Sequence, residues 1–152
     1  QDFWNRAFFS NRYMHFDRPY VGAPEFVQNI HKSGSEIVYL TGRDRPGTEE
    51  GTLRALRWHN FPMDTQCHLF MKPQKETPDL EFKKDILQNL RARFRILALI
   101  DNEAENLNMY AKEIPEAEVV FFHSIMSPRI PSEAFHVAMQ GRDPLKLNSY
   151  KL

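Results

Sequence analysis

Hydrophobic positions along the chain fall into short apolar runs separated by longer amphipathic stretches. Residues 2–9 carry Phe3, Trp4, Ala7 and Phe8 on one broad face, which predicts a short helix. The stretch 11–20 is aromatic and irregular. Pro24 then opens a better helix. Proline suits a first turn, Phe26, Val27 and Ile30 form an apolar stripe, and Gly34 stands where a helix-ending glycine belongs. A strand over 36–40 follows at once and gives way to a polar loop at 41–46. The next helix is predicted near 48–60, with Leu53, Leu56 and Asn60 on one face, and Phe61-Pro62 stops it. Residues 67–71 read as a second strand and 72–77 as a loop.

Thr77-Pro78 opens a long helix to about Arg93, with Phe82, Ile86, Leu87 and Leu90 inward. The run 95–100 is almost wholly aliphatic, as a strand buried on both faces should be. A helix over 103–113 buries Leu107, Tyr110 and Ile114 before Pro115 ends it. Residues 118–122 form a last strand, and one or two helical turns are expected at 132–139. Strands alternating with helices of this length imply an α/β fold with a parallel, doubly wound sheet and right-handed crossovers.

At 152 residues the chain has the length of one domain with a substantial core. Residues 1–23 are expected to form a small cap or lid, or a satellite cluster under a loop; 24–124 the core; and 125–152 a C-terminal extension. Net charge is zero, so bulk electrostatics favour neither nucleic acid nor an anionic membrane. No apolar run approaches the length of a bilayer span. The single cysteine, Cys67, excludes an internal disulfide and a cysteine-rich zinc site. It fits a reducing compartment, and the expected location is cytoplasmic. The chain begins at Gln1 without a methionine, which leaves a preceding segment open.

Three stretches carry candidate chemistry. In Tyr-Leu-Thr-Gly-Arg-Asp, a strand delivers the Thr41 hydroxyl beside the unobstructed Gly42 amide, a good cradle for a phosphate oxygen, and Arg43 adds a guanidinium suited to anions. The plainer alternative has Thr41 capping the turn and Arg43 paired with Asp44. In Phe82-Lys83-Lys84, Lys83 lies on the apolar side of its helix and Lys84 points away into solvent; Lys83 too has the alternative of being solvated. In Leu-Ile-Asp-Asn-Glu-Ala-Glu-Asn, Asp101 ends an aliphatic strand, where an isolated carboxylate is costly unless paired or metal-bound. Glu105 follows at the start of a helix, so the two acids can face one cation, and magnesium suits such oxygen ligands. The alternative is an Asp101 N-cap with Glu105 favouring the helix dipole.

Taken in order, these stretches resemble motifs two, three and four of the haloacid dehalogenase (HAD) superfamily of phosphohydrolases. The resemblance covers roughly 34–124. The Leu-Thr-Gly-Arg form, followed by Thr48 or Thr52 on a helix, is especially similar to the acid phosphatases and polynucleotide 3′-phosphatases of that superfamily. It implies a HAD-like Rossmannoid three-layer sandwich with a parallel sheet. It also implies that Thr41 and the Gly42 amide hold the transferring phosphoryl group, with Arg43 in the substrate site. Lys83 would neutralise charge, and Asp101, with Glu105 as the second acid, would hold Mg2+. Asn102 and Asn106 stand where some members carry acids.

The superfamily's first motif, a strand ending Asp-x-Asp that supplies the covalent nucleophile and the general acid, has no counterpart in the chain. The early His15-Phe16-Asp17-Arg18-Pro19 lacks a preceding apolar strand and has proline where the second acid belongs. That motif's strand would lie at the centre of the sheet, between those ending at Thr41 and Asp101. The resemblance therefore implies a central strand and nucleophile upstream of Gln1. The expected function is a magnesium-dependent phosphomonoester hydrolase acting on a phosphorylated small molecule or nucleotide. The alternative is a non-catalytic, phosphate-binding scaffold. A nucleic-acid end is a third substrate class, permitted by Arg54, Arg57, Trp58 and His59 but opposed by the neutral net charge.

Overall fold

The structure, a computed structural model, describes residues 10–11 and 14–122. The helix expected at 2–9, most of the aromatic cap and the turns expected at 132–139 lie outside the described residues. The chain divides into two compact units, one ending at Asp79 and the other beginning at Leu80. The described residues form four α-helices and four strands in small parallel sheets, an α/β arrangement consistent with a HAD-like Rossmannoid fold. Among the described residues no helix is long and apolar enough to cross a membrane.

In the first unit a 3-10 turn at Met14–Phe16 precedes α1 (Ala23–Lys32), β1 (Ile37–Asp44), α2 (Arg45–Trp58) and β2 (Cys67–Lys72). Helix α1 begins and ends as its sequence predicts. Pro24 occupies the first turn, and Gly34 beyond the end takes a left-handed φ of 91° that a side chain would strain. Its stripe of Phe26, Val27 and Ile30 is half-buried, and no α1 residue is fully buried.

Strand β1 runs further than its apolar run suggests. It pairs in parallel with β2 from Ile37 opposite Cys67 to Thr41 opposite Met71, then slips so that Asp44 meets Lys72. Gly42 and Arg43 bulge out of the ladder, so of the stretch expected to be loop, 41–44 is the bulged end of a strand and 45–46 the start of a helix.

Helix α2 also departs from expectation. It starts at Arg45, because the Asp44 carboxylate accepts the Gly47 N–H at 2.8 Å as an N-cap and Pro46 fits the first turn. Its buried residues are Thr48, Gly51 and Thr52 rather than the leucines, which are half-buried, and Asn60 is exposed. Small residues are needed because the N-terminal segment lies close. The Gly51 N–H donates to Asn11 Oδ1 at 2.7 Å, and a Cβ on Gly51 would come within 2.6 Å of Met14 Cγ.

The second unit holds α3 (Asp79–Arg91, from its second residue), β3 (Ala98–Asp101), α4 (Ala104–Glu113) and β4 (Glu118–Phe121). Strands β3 and β4 pair in parallel, Ala98 opposite Glu118 through Asp101 opposite Phe121. Leu87, Leu107, Met109, Tyr110 and Val119 form the core, with Leu99 and Phe121 packed against it. Helical spacing along α3 and α4 sets this, since Phe82, Leu87 and Leu90 turn inward on one and Leu107 and Tyr110 on the other. Strand β3 was expected to be buried on both faces, yet only Leu99 reaches the core and Ile100 is 44% exposed. Helix α4 packs against β3 and β4 on one face, and on the other Ala98 and Ile100 are exposed and Val120 half-buried.

Candidate functional site

In the first unit the polar groups gather at the carboxyl end of β1 and β2. Thr41 Oγ1 accepts the Arg43 N–H at 3.3 Å, so the hydroxyl shapes the bulge from within, as turn-forming threonines do. Gly42 lies in close approach to the Asp79 side chain. A Cβ there would collide with the Asp79 carboxylate, whose Cγ would lie 2.8 Å away. Arg43 does not pair with Asp44, which is occupied as the α2 cap. Its Nη2 donates instead to Asp17 Oδ2 at 2.7 Å. The Asp17 carbonyl in turn meets His59 Nε2 at 3.0 Å. Asp17, unsuited by its sequence context to be a nucleophile, thus has a positional part: it orients a guanidinium.

One charged group here is not signalled by any motif. Lys72, at the end of β2, is buried, and its ammonium donates to Asp79 Oδ1 at 2.7 Å and to the Lys75 carbonyl at 3.0 Å. The signal that could have found it is the one that singles out Asp101: a charge directly after an apolar strand run.

In the second unit, Lys83 and Asp101 are brought together. Lys83 Nζ lies 2.8 Å from Asp101 Oδ2, with the two side chains 9% and 8% exposed. Lys83 is therefore not a solvated helix lysine. Its neighbour Lys84 is the outward one, paired with Glu113 at 3.0 Å. The same Oδ2 accepts the Tyr110 hydroxyl at 2.9 Å and the Asn106 amide at 3.1 Å, while Oδ1 accepts the Glu103 N–H at 3.0 Å. Asp101 is not the N-cap of α4, a position held by Glu103; it closes a turn two residues earlier.

Burial alone would push the Asp101 carboxyl up. The Lys83 ammonium, its hydrogen bond, the Glu103 amide and the Tyr110 hydroxyl outweigh that and hold it below its ordinary value. Tyr110 moves the opposite way, because burial and the adjacent Asp101 charge both disfavour a phenolate. It therefore stays a hydrogen-bond donor. Glu105, in the first turn of α4, is exposed, whereas the following residue, Asn106, turns inward to Asp101. Asn106, already marked as standing where some members carry an acid, is thus a partner of Asp101, and Tyr110 is the partner that motif reasoning left out. Tyr110 was legible only as a core aromatic, and its hydroxyl was the unused clue.

Parallel β–α pairs, a hydroxyl and glycine at the bulged end of β1, a buried lysine on α3 and a carboxylate ending β3 together fit one class, a HAD-type phosphohydrolase domain. The family model of the polynucleotide kinase PNKP phosphatase domain matches residues 2–114, well over half of the chain. The chain belongs to that family. No curated protein and no solved structure matches it.

Proposed function

We propose that this chain is the body of a magnesium-dependent phosphomonoester hydrolase working through a phosphoaspartyl intermediate, its nucleophilic aspartate supplied from upstream of Gln1. The observation that carries the proposal is the buried Lys83–Asp101 pair with Tyr110 and Asn106 closed around one carboxylate oxygen. Desolvating two charges commonly costs more than their attraction returns, so such a pair is weakly explained by stability alone. An ammonium and an ionised carboxylate held dry are what transfer of a doubly charged phosphoryl group requires.

The donor set suits magnesium. That ion binds through one or two carboxylates and keeps several waters, and Asp101 Oδ1, which accepts one hydrogen bond where Oδ2 accepts three, is the oxygen with room for it. Asp101, with Glu105 as an outer acid, would hold the ion, whose charge would offset that of the phosphoryl oxygens. Lys83 keeps Asp101 ionised and supplies a fixed positive charge. In the first unit Thr41 and the Gly42 amide would cradle phosphoryl oxygens, and Arg43, steadied by Asp17, would bind the substrate's anionic group.

Strands β1 and β3 each pair on one side only among the described residues, which supports a further strand carrying the nucleophile. The substrate is a phosphorylated small molecule or nucleotide in a reducing, cytoplasmic compartment. A polynucleotide end is the second reading, favoured by the family's description and by Trp58, 79% exposed beside Arg54 and Arg57.

The test uses the gene product that includes the residues before Gln1. It should hydrolyse p-nitrophenyl phosphate only with added magnesium, and Asp101→Asn should abolish the reaction. Full activity in that variant removes the metal assignment. An upstream strand lacking both aspartates, with phosphate still bound, replaces the enzyme by a phosphate-binding scaffold.

A further inference from the structure

We infer that His31, Asp64 and Cys67 form a zinc site at the amino end of the β1–β2 sheet, independent of the phosphate chemistry proposed above. The three residues come from separate segments: the last turn of α1, the bend before β2, and the first residue of β2. Their ligand atoms all lie within 4.8 Å of one another. His31 Nε2 is 3.1 Å and Cys67 Sγ 3.5 Å from Asp64 Oδ1.

A tetrahedral zinc with bonds of about 2.0–2.3 Å holds its ligand atoms about 3.3–3.6 Å apart. Two of the three pairs already stand near that spacing, and the third has to close by no more than about 1.3 Å, a rotamer-scale movement. The bend is held for this purpose by its own backbone. The Gln66 N–H donates to Asp64 Oδ1 at 2.9 Å, and the Cys67 N–H donates to the Asp64 carbonyl at 3.1 Å.

The chemistry selects the ion. A thiolate and an imidazole are poor ligands for magnesium and good ones for zinc. Binding exchanges protons for metal: the Cys67 thiol releases its proton to solvent, and the imidazole binds through Nε2 with its proton on Nδ1. Thiolate and carboxylate then neutralise the dication, and the carboxyl-terminal end of α1 adds a favourable partial charge. The Asp64 side chain is 55% exposed, so the fourth position opens to solvent. The site is also far from the bulge at Thr41–Asp44. Ile37 and Cys67 pair at one end of the ladder, Asp44 and Lys72 at the other. Its effect is to clamp the end of α1 to the start of β2.

Cobalt titrated into the reduced chain, with magnesium in excess, tests the assignment. Cys67 is the only cysteine, so a thiolate-to-cobalt charge-transfer band can arise from no other residue. The band should saturate at one equivalent and be displaced by zinc. His31→Ala and Asp64→Asn should each weaken binding at least about tenfold. His68→Gln, whose imidazole pairs with Glu36 at 2.7 Å, should leave binding unchanged. Zinc should also raise the thermal midpoint of the parent chain but not of Cys67→Ser, a near-isosteric change that preserves the fold. Absence of the band overturns the site, as does a band indifferent to His31→Ala, or zinc stabilisation that persists in Cys67→Ser.

Discussion

Lys83 and Asp101 meet at 2.8 Å with both side chains more than nine-tenths buried, and neither charge has bulk water to fall back on. Removing one partner therefore strands the other. Lys83→Met is expected to cost about 3–5 kcal/mol, the usual penalty for an uncompensated buried charge. Asp101→Asn should cost less, because an amide still accepts from Tyr110 and Asn106. The double variant should lose less than the sum of the singles, which urea unfolding of all four proteins would measure. Strict additivity would mean that the two groups do not interact.

The same carboxylate sets a pH signature. The folded Asp101 carboxyl is held below its ordinary value, so the folded state binds its proton less readily than the unfolded chain does. Its contribution is fully present above the unfolded value of about 3.9 and is lost as pH falls through the lower folded value. The stability difference between the parent chain and Asp101→Asn should thus be flat from pH 7 to about pH 5 and shrink below about pH 4. Tyr110→Phe deletes one of the interactions holding the carboxyl down and should move that loss to higher pH. A difference that shrinks already between pH 7 and 6 contradicts the assignment.

Much of this was legible in residue order. The alternation of strands and helices required parallel pairing, and Asp101 stood out because a charge ending Ala-Leu-Ile must have a partner. What was not legible depended on neighbours distant in the chain. Asp17 is 26 residues from the Arg43 it holds, and no local pattern links them. The leucines of α2 looked like its buried stripe because amphipathic spacing was the only guide, whereas the space actually filled admits Gly51 and two threonines. His31, Asp64 and Cys67 share no motif, since their meeting depends on how α1 ends and β2 begins. Strand β3 looked doubly buried because an aliphatic run states what a strand tolerates, not how many layers cover it.

Asp44 sets the start of α2. Its carboxylate accepts the Gly47 N–H at 2.8 Å, and its carbonyl accepts the Thr48 hydroxyl at 2.7 Å, the latter on a fully buried side chain. Asp44→Ala should cost about 1–2 kcal/mol, the upper part of the range for a lost N-cap. Asp44→Asn should recover most of it, because an amide oxygen caps nearly as well. Guanidinium unfolding midpoints, with the slope checked for constancy, would separate the two. Equal losses would show that the charge, rather than the cap, matters at this position.

Gly51 offers the sharpest test of how the N-terminal segment packs on α2. In an open helix, glycine to alanine gains about 1 kcal/mol from reduced backbone freedom. At Gly51 the added Cβ would come within 2.6 Å of Met14 Cγ and 2.8 Å of both Met14 Cβ and Asn11 Oδ1. The far end of the methionine can swing aside, but its Cβ is anchored to the 3-10 turn. Overpacking of this kind costs about 1–3 kcal/mol, which outweighs the helix gain and makes Gly51→Ala net destabilising. The compensating change is Met14→Ala, which removes the Cγ contact and the bulk behind it. Alone, Met14→Ala should also destabilise, since it empties a buried position. Combined with Gly51→Ala it should be milder than the sum of the two, by an interaction energy of about 0.5–3 kcal/mol. Thermal unfolding of the four proteins decides the matter. A Gly51→Ala chain more stable than its parent would mean that the 3-10 turn does not rest on α2 in solution.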